Sequence, residues 1–302
     1  MENFLYGAAS AVSAICIVHP IDVVKTRLQL QGEMASHSAK QYTGITSSLI
    51  NVAKHEGMAG LYKGLGAACM LQITVTGTRF GFYNYTKELL GVNKDSPNQH
   101  MQNMGLALGA GICGAVAGNP FYAMKTRFQA SAGGSSVAVG HQHQVTTLTQ
   151  EIKRIIVQEG PRGYFRGVTA FIPRVVAFST GQLTSYDFCK HHLLQRGWAD
   201  DVTTHLTSGS AAAAVGITLM QPFDFLAARI MNQPLVNGKP AYYKGVVDCA
   251  VKSVKSEGIF VLFKGASANY ARMCPYNLLC FVFFEQYKKL GTKLFHGQSV
   301  LL

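Results

Sequence analysis

One string of residues returns three times along the chain. Pro20-Ile21-Asp22-Val23-Val24-Lys25-Thr26-Arg27-Leu28-Gln29 recurs as Pro120-Phe121-Tyr122-Ala123-Met124-Lys125-Thr126-Arg127-Phe128-Gln129. It recurs again, degraded, as Pro222-Phe223-Asp224-Phe225-Leu226-Ala227-Ala228-Arg229-Ile230-Met231. The prolines are 100 and 102 residues apart. Some 36 residues after each comes a second string: Glu56-Gly57 with Tyr62-Lys63-Gly64, Glu159-Gly160 with Phe165-Arg166-Gly167, and Glu257-Gly258 with Phe263-Lys264-Gly265. A repeat this long is too large for an ordinary solenoid unit. The 302 residues are therefore expected to form three like units, 1–98, 99–200 and 201–302.

Each unit opens on an uncharged run. Residues 3–21, 102–124 and 202–223 contain no Lys or Arg, and each is about long enough to cross ~30 Å of hydrocarbon as a helix. Each unit also closes on one: 64–86, 167–186 and 265–284 carry a single charge apiece, Arg79, Arg174 and Arg272. Charged residues make up only 14% of the chain, well below the ~25% of soluble globular proteins. Six such helices are hard to accommodate without lipid. The expected fold class is an all-α membrane protein with six transmembrane helices in three tandem repeats. The more polar stretches near 44–56, 146–158 and 245–256 have helical periodicity, as in Ile152-Lys153-Arg154-Ile155-Ile156, and read as short surface helices. An even number of spans puts both termini on one side.

The rest of the composition narrows the partners. A net charge of +12 points to an anionic partner, which by charge alone could be nucleic acid, an anionic membrane surface or an acidic solute; for a chain of six membrane spans no nucleic acid is expected. No catalytic cluster stands out, so an enzyme is not expected, nor a cofactor. Seven scattered cysteines form no Cys-x-x-Cys pair and suit neither a zinc site nor a disulfide framework. In the longest loop, 133–145, His141 and His143 are expected to be solvated rather than metal-bound. The start lacks the basic region of a secretory signal and the Arg- and Ser-rich face of a transit peptide, so no such leader is expected.

The repeated strings resemble the signature of the mitochondrial carrier family, P-x-[DE]-x-x-[KR] followed by an acidic-Gly and an aromatic-basic-Gly element. The resemblance covers essentially the whole chain. The stretches Lys25-Thr26-Arg27-Leu28-Gln29-Leu30-Gln31-Gly32-Glu33, Val139-Gly140-His141-Gln142 and Arg229-Ile230-Met231-Asn232-Gln233-Pro234 are most similar to the oxaloacetate and dicarboxylate branch. The resemblance implies the pseudo-threefold carrier fold in the mitochondrial inner membrane, with both termini towards the intermembrane space.

It also implies two gates. A proline bends a helix, and the residues at +2 and +5 lie on neighbouring positions of one face. In the family, the acid at +2 pairs with the lysine of the next odd helix. Carried over, Asp22 faces Lys125, Asp224 faces Lys25, and the uncharged Tyr122 and Ala227 share the third position. Gln29 and Gln129 resemble the braces behind these matrix-side bridges, a role closed to Met231. The opposite, cytoplasmic gate has the pattern [FY]-[DE]-x-x-[KR]. It is matched by Tyr186-Asp187-Phe188-Cys189-Lys190 and Phe284-Glu285-Gln286-Tyr287-Lys288. Tyr83-Asn84-Tyr85-Thr86-Lys87 has Asn for the acid, so a bridge from Asn84 to Lys190 is expected to be weak or absent.

An arginine at mid-membrane costs ~2.5–3.5 kcal/mol, so it should face water or a partner. Arg174 lies 13 residues before Asp187, and Arg272 lies 13 before Glu285. Both are thus at one depth, roughly 20 Å below the outer gate. Their counterpart is Leu71, with Gln72 beside it. Arg79 follows Gln72 by seven residues on nearly the same face, and Gln182 is its counterpart on the fourth span. Three guanidinium groups without a matching carboxylate in the central spans suit a small di-anion, which Arg binds in a bidentate fork. Val175 follows Arg174, where amino-acid and carnitine carriers have an acid. The expected function is alternating-access antiport of a dicarboxylate or oxoacid such as oxaloacetate, with malonate and sulfate as further candidates. Proton leak and a structural role in a larger membrane complex are the alternatives, and the buried arginines argue against the latter.

The elements Lys63-Gly64, Arg166-Gly167 and Lys264-Gly265 stand at helix starts, where backbone amides bind phosphate. The resemblance implies that they hold cardiolipin, with Tyr42-Thr43-Gly44 and Tyr243-Lys244-Gly245; the second repeat lacks the latter element. Gly105, Gly109, Gly114 and Gly118 are expected to permit close helix packing.

Overall fold

In a computed structural model, described here for residues 2–33, 42–92, 99–132, 138–143, 147–236 and 239–296, the chain is almost wholly helical. The elements in chain order are α1 (Glu2–Leu30), α2 (Ile45–Leu61), α3 (Leu65–Leu89), α4 (Gln99–Ala130), α5 (Leu148–Arg154), α6 (Val168–Gln195), α7 (Val202–Asn232), α8 (Val246–Glu257) and α9 (Ala266–His296). A π-turn (Ile155–Glu159) and a 3-10 turn (Pro161–Phe165) follow α5, and a second 3-10 turn (Ile259–Phe263) follows α8. Each repeat is therefore long helix, short helix, long helix. The long ones have 25 to 32 residues, enough for ~30 Å of hydrocarbon at ~1.5 Å per residue.

The long helices close into a ring. Helix α1 packs on α3 and α9, α4 on α3 and α6, and α7 on α6 and, less extensively, α9. Helices α1, α4 and α7 also touch one another. Among the described residues these three are the helices long, apolar and charge-poor enough to cross a membrane by length and composition; α3, α6 and α9 carry charges near one end as well as their single arginine. Each of α1, α4 and α7 runs on past the end of its uncharged run, to Leu30, Ala130 and Asn232. It can do so because the charges beyond the proline are paired inside the bundle.

Two of the four glycines expected to permit close packing do so. A Cβ on Gly118 would lie 2.5 Å from Val75 Cγ2, and one on Gly114 would lie 2.9 Å from Arg79 Cγ, so α3 and α4 meet there nearly backbone to backbone. Gly109 would make only an ordinary contact with Phe82, at 3.5 Å, and Gly105 faces open space. The repeated Gly of each second string has a structural cause: Gly57, Gly160 and Gly258 sit at φ 69°, 67° and 86°. Gly64, Gly167 and Gly265 sit at 79°, 79° and 82°. Side chains with a Cβ rarely adopt this region.

The segment 138–143 corrects the expectation of solvated histidines. His143 is only 5% exposed, and its Nε2 lies 2.8 Å from the Asn232 carbonyl. His141 packs edge-on against it at 4.6 Å between ring centroids. The flanking residues 133–137 and 144–145 of that loop lie outside the described residues.

Candidate functional site

Beyond the prolines, the ends of α1, α4 and α7 converge and bury their charges together. Lys125 Nζ lies 2.5 Å from Asp22 Oδ2, and Lys25 Nζ lies 2.6 Å from Asp224 Oδ2. Gln129 donates to Asp22 Oδ2 at 3.1 Å, and Gln29 donates to Asp224 Oδ2 at 2.8 Å. All four charged groups are buried. This end is called the proline gate below. At the third position, Tyr122 and Ala227 share one buried apolar cluster. The Tyr122 hydroxyl donates to Asp224 Oδ1 at 3.0 Å, while its ring packs on Phe171 at 4.6 Å.

The arginines of α6 and α9 reach the same two acids. Arg174 Nε donates to Asp224 Oδ1 at 2.6 Å. Arg272 Nε lies 3.4 Å from Asp22 Oδ1, an ion pair in which neither atom makes a hydrogen bond. The guanidinium groups therefore do have carboxylates beside them, contrary to the sequence-based expectation. An ionised carboxylate offers about four acceptor sites, so Asp22 and Asp224 serve a lysine and an arginine at once. The two gate acids differ. Asp224 collects hydrogen bonds from Gln29, Tyr122 and Arg174 besides its ion pair with Lys25. Asp22 keeps one oxygen without a hydrogen bond.

Arg79 lies apart from this pair. It is exposed and has no ion-pair partner among the described residues. It lines a cavity of about 290 Å³ with Thr76, Phe80 and Tyr83 of α3 and Ala107 and Ala110 of α4. Gln72 donates to Thr76 Oγ1 at 3.4 Å, one turn along the same face. Gln182 is half-buried on α6 and joins neither group.

At the other end of the long helices, Lys190 pairs with Asp200 at 3.1 Å rather than with Asn84. Asp200 also takes His205 at 3.1 Å, and His205 Nδ1 lies 2.6 Å from the Tyr186 hydroxyl. Lys87 stands over the Tyr83 ring at 5.8 Å. Asp187, Glu285 and Lys288 are exposed.

A second ring, at the seventh residue after each proline, went unassigned in the sequence. Arg27 donates from Nε to the Gln129 carbonyl at 3.1 Å, Arg127 to that of Met231 at 3.2 Å, and Arg229 to that of Gln29 at 3.4 Å. Each arginine thus grips the backbone of the next repeat, in cyclic order. Each is also anchored by a carboxylate: Arg27 by Glu56 in a two-pronged pair, Arg127 by Glu151 at 2.8 Å, Arg229 by Glu257 at 2.5 Å. Burial pushes the Glu56 carboxyl up, but the bonds from Arg27 and Lys63 outweigh it and hold it below its ordinary range. The basic-Gly residues complete the ring. Lys63 reaches the Ser131 carbonyl at 3.0 Å, Arg166 that of Gln233 at 3.0 Å, and Lys264 that of Gln31 at 2.6 Å. Gly64 and Gly167 are the N-caps of α3 and α6, and Gly265 stands immediately before α9. The residue before each proline, His19, Asn119 or Gln221, binds the carbonyl of Lys63, Arg166 or Lys264, at 3.0, 3.1 and 2.9 Å. Recurrence in all three copies was the available signal.

The family model for mitochondrial carrier proteins matches the chain three times, at residues 1–94, 96–197 and 199–294. The chain is a mitochondrial carrier. As a member of this family the carrier is a transporter and not an enzyme. It is 34% identical to the mitochondrial oxaloacetate transport protein of Schizosaccharomyces pombe, over 97% of this chain and 92% of that protein. It is 34% identical to mitochondrial citrate transporter E of Aspergillus niger, over 96% and 94%. To the mitochondrial 2-oxoglutarate/malate carrier protein of Bos taurus it is 32% identical, over 97% and 92%. These relatives are all named for small carboxylic acids, and the carrier shares with them the transport of small metabolites.

Proposed function

We propose that the carrier exchanges small dicarboxylate or oxoacid anions, such as oxaloacetate or malonate, across the mitochondrial inner membrane by alternating access. The observation that carries this reading is the contact of Arg174 and Arg272, at one depth, with the two acids of the proline gate. An anion entering from the cavity offers each guanidinium a better partner than a shared aspartate. A bidentate carboxylate takes two parallel hydrogen bonds, whereas Arg174 gives Asp224 one through Nε and Arg272 gives Asp22 none. As the ligand takes the arginines, Asp224 and Asp22 lose part of their compensation, and the bridges that close the gate weaken. Binding and gate release are then one event, and interactions that differ between the two states are what shift them. Arg79, with Gln72 and Gln182, receives the anion on its way down.

In this reading the proline gate faces the matrix, the termini face the intermembrane space, and the gate of Lys87, Asp187, Lys190, Glu285 and Lys288 closes the cytoplasmic side. Cardiolipin and other inner-membrane lipid bind at the helix starts around Lys63-Gly64, Arg166-Gly167 and Lys264-Gly265. Exchange in liposomes containing the purified protein tests the function, using oxaloacetate, malonate, malate, sulfate, citrate and phosphate inside and out. Saturable exchange of the di-anions supports it. Exchange of none of them, or of cations or amino acids instead, refutes it.

A further inference from the structure

At the gate end of the bundle, one residue from each repeat meets in a buried junction. Glu33, just past α1, is only 7% exposed. Asn232 ends α7, and His143 bonds its carbonyl at 2.8 Å. The Asn232 amide, oriented to satisfy both groups, clamps the His141 backbone, accepting from N at 2.9 Å and donating to O at 3.3 Å. Gln142 ties the same segment back to the end of α4 through the Ala130 carbonyl at 3.1 Å. Gly140, at φ 65°, lets the segment pass over Glu33: a Cβ there would sit 3.2 Å from Glu33 Oε2 and 2.5 Å from the Asn232 amide. The first, second and third repeats are thereby strapped together below the gate.

The Glu33 carboxylate is the misfit in this strap. Both its oxygens are buried, and neither makes a hydrogen bond. Arg229 of α7 is the cation that acts on it, but that guanidinium already binds Glu257 at 2.5 Å and Ser253 at 2.9 Å. Glu257 of α8 adds like charge, and the Asn232 and Tyr243 side chains favour the charged form without supplying a countercharge. Lys264, beside Gly32, is taken up by Glu257 at 2.7 Å and the Gln31 carbonyl. The strap's histidines supply no countercharge. Burial, with Arg127 nearby, pushes His143 down to about 3, and burial with Arg154 lowers His141 too. An ionised carboxylate taken out of water without compensating hydrogen bonds is unfavourable, and a bound proton removes most of that cost.

We propose that Glu33 is a proton-binding site, occupied when the strap is closed, that makes the closed proline gate sensitive to the pH of the compartment it faces. Burial, opposed by Arg229 and by the Asn232 and Tyr243 side chains and reinforced by Glu257, raises its carboxyl to about 7 from an ordinary 4.5. An arrangement in which the repeats separate returns Glu33 to water and to that ordinary value. The closed form therefore binds the proton more tightly. Its advantage is full below the ordinary value, falls as pH rises from there through neutrality, and is gone above. This holds whichever anion is carried.

The test is the melting temperature of the full chain in detergent, compared with Glu33→Gln, from about pH 5 to about pH 8.5. The wild type should lose several degrees as pH rises through neutrality. Glu33→Gln, neutral throughout, should lack that step and melt above the wild type at the alkaline end. Parallel profiles, or an equal loss in the variant at every pH, overturn the proposal, the second by showing a purely structural carboxylate. Infrared titration of the wild type keeps the question open to refutation if the variant does not fold. A carboxylic-acid carbonyl band lost with a midpoint near neutrality is expected, and its absence above about pH 6 overturns the site.

Discussion

Asp224 shows how one residue can do what a symmetric gate divides among three. Its bridge to Lys25 and brace from Gln29 are what the family resemblance implied for these positions after the proline, so both were legible in the sequence. The hydroxyl of Tyr122 and the guanidinium of Arg174 were not, because Tyr122 stands where the pattern has an acid, and Arg174 comes from an even-numbered long helix that the pattern does not pair with the gate. The arginine ring was hidden for a different reason. Arg27, Arg127 and Arg229 grip backbone carbonyls, and a carbonyl is present whatever residue carries it, as Met231 in the place of Gln29 and Gln129 shows. Removing Lys25 leaves the buried Asp224 with Arg174 as its remaining cation, so Lys25→Ala should cost about 1.5–3 kcal/mol in thermal or denaturant unfolding. Tyr122→Phe keeps the ring on Phe171 and deletes one bond to a charged acceptor. It should cost about 1.5–3 kcal/mol in the same measurement and speed gate opening. Tyr122→Asp sets a second carboxylate beside Asp224 and should be the worst single change. Adding Ala227→Lys should recover part of that loss, and a double-mutant cycle that shows coupling of less than about 0.5 kcal/mol would separate the two positions.

The helices were the most legible elements, since six apolar runs and three amphipathic ones leave few alternatives. Their ends were not, because a run scanned for absence of charge stops at the first charge after the proline, whereas the helix continues wherever its charges find partners. The glycines divide in the same way. Gly160, with φ 67° between the surface helix and its turn, was marked by its repeated place; Gly160→Ala should cost about 1–3 kcal/mol. Gly105→Ala, facing open space within α4, should leave the protein unchanged or stabilise it by up to about 1 kcal/mol. The two together, read by melting temperature, separate a backbone requirement from a packing one. Cardiolipin at the helix starts should raise the melting temperature in a concentration-dependent way, through linkage to the folded state. A melting temperature indifferent to cardiolipin but responsive to neutral lipid would place no headgroup site there.

Across the whole molecule, the threefold sequence builds a ring whose departures from symmetry concentrate at one edge of the gate. Tyr122, Ala227 and Met231 stand where the other repeats have an acid, a lysine and a glutamine, and Arg174 leans on the acid that faces them. The transport account rests on that asymmetric pair of arginines more than on any other feature. Exchange of oxaloacetate and malonate in liposomes by Arg174→Ala and Arg272→Ala, at protein density matched to wild type and with folding checked by melting temperature, measures it most directly. The account predicts that both folded variants fall to the rate of empty liposomes. Wild-type exchange by either one would contradict it.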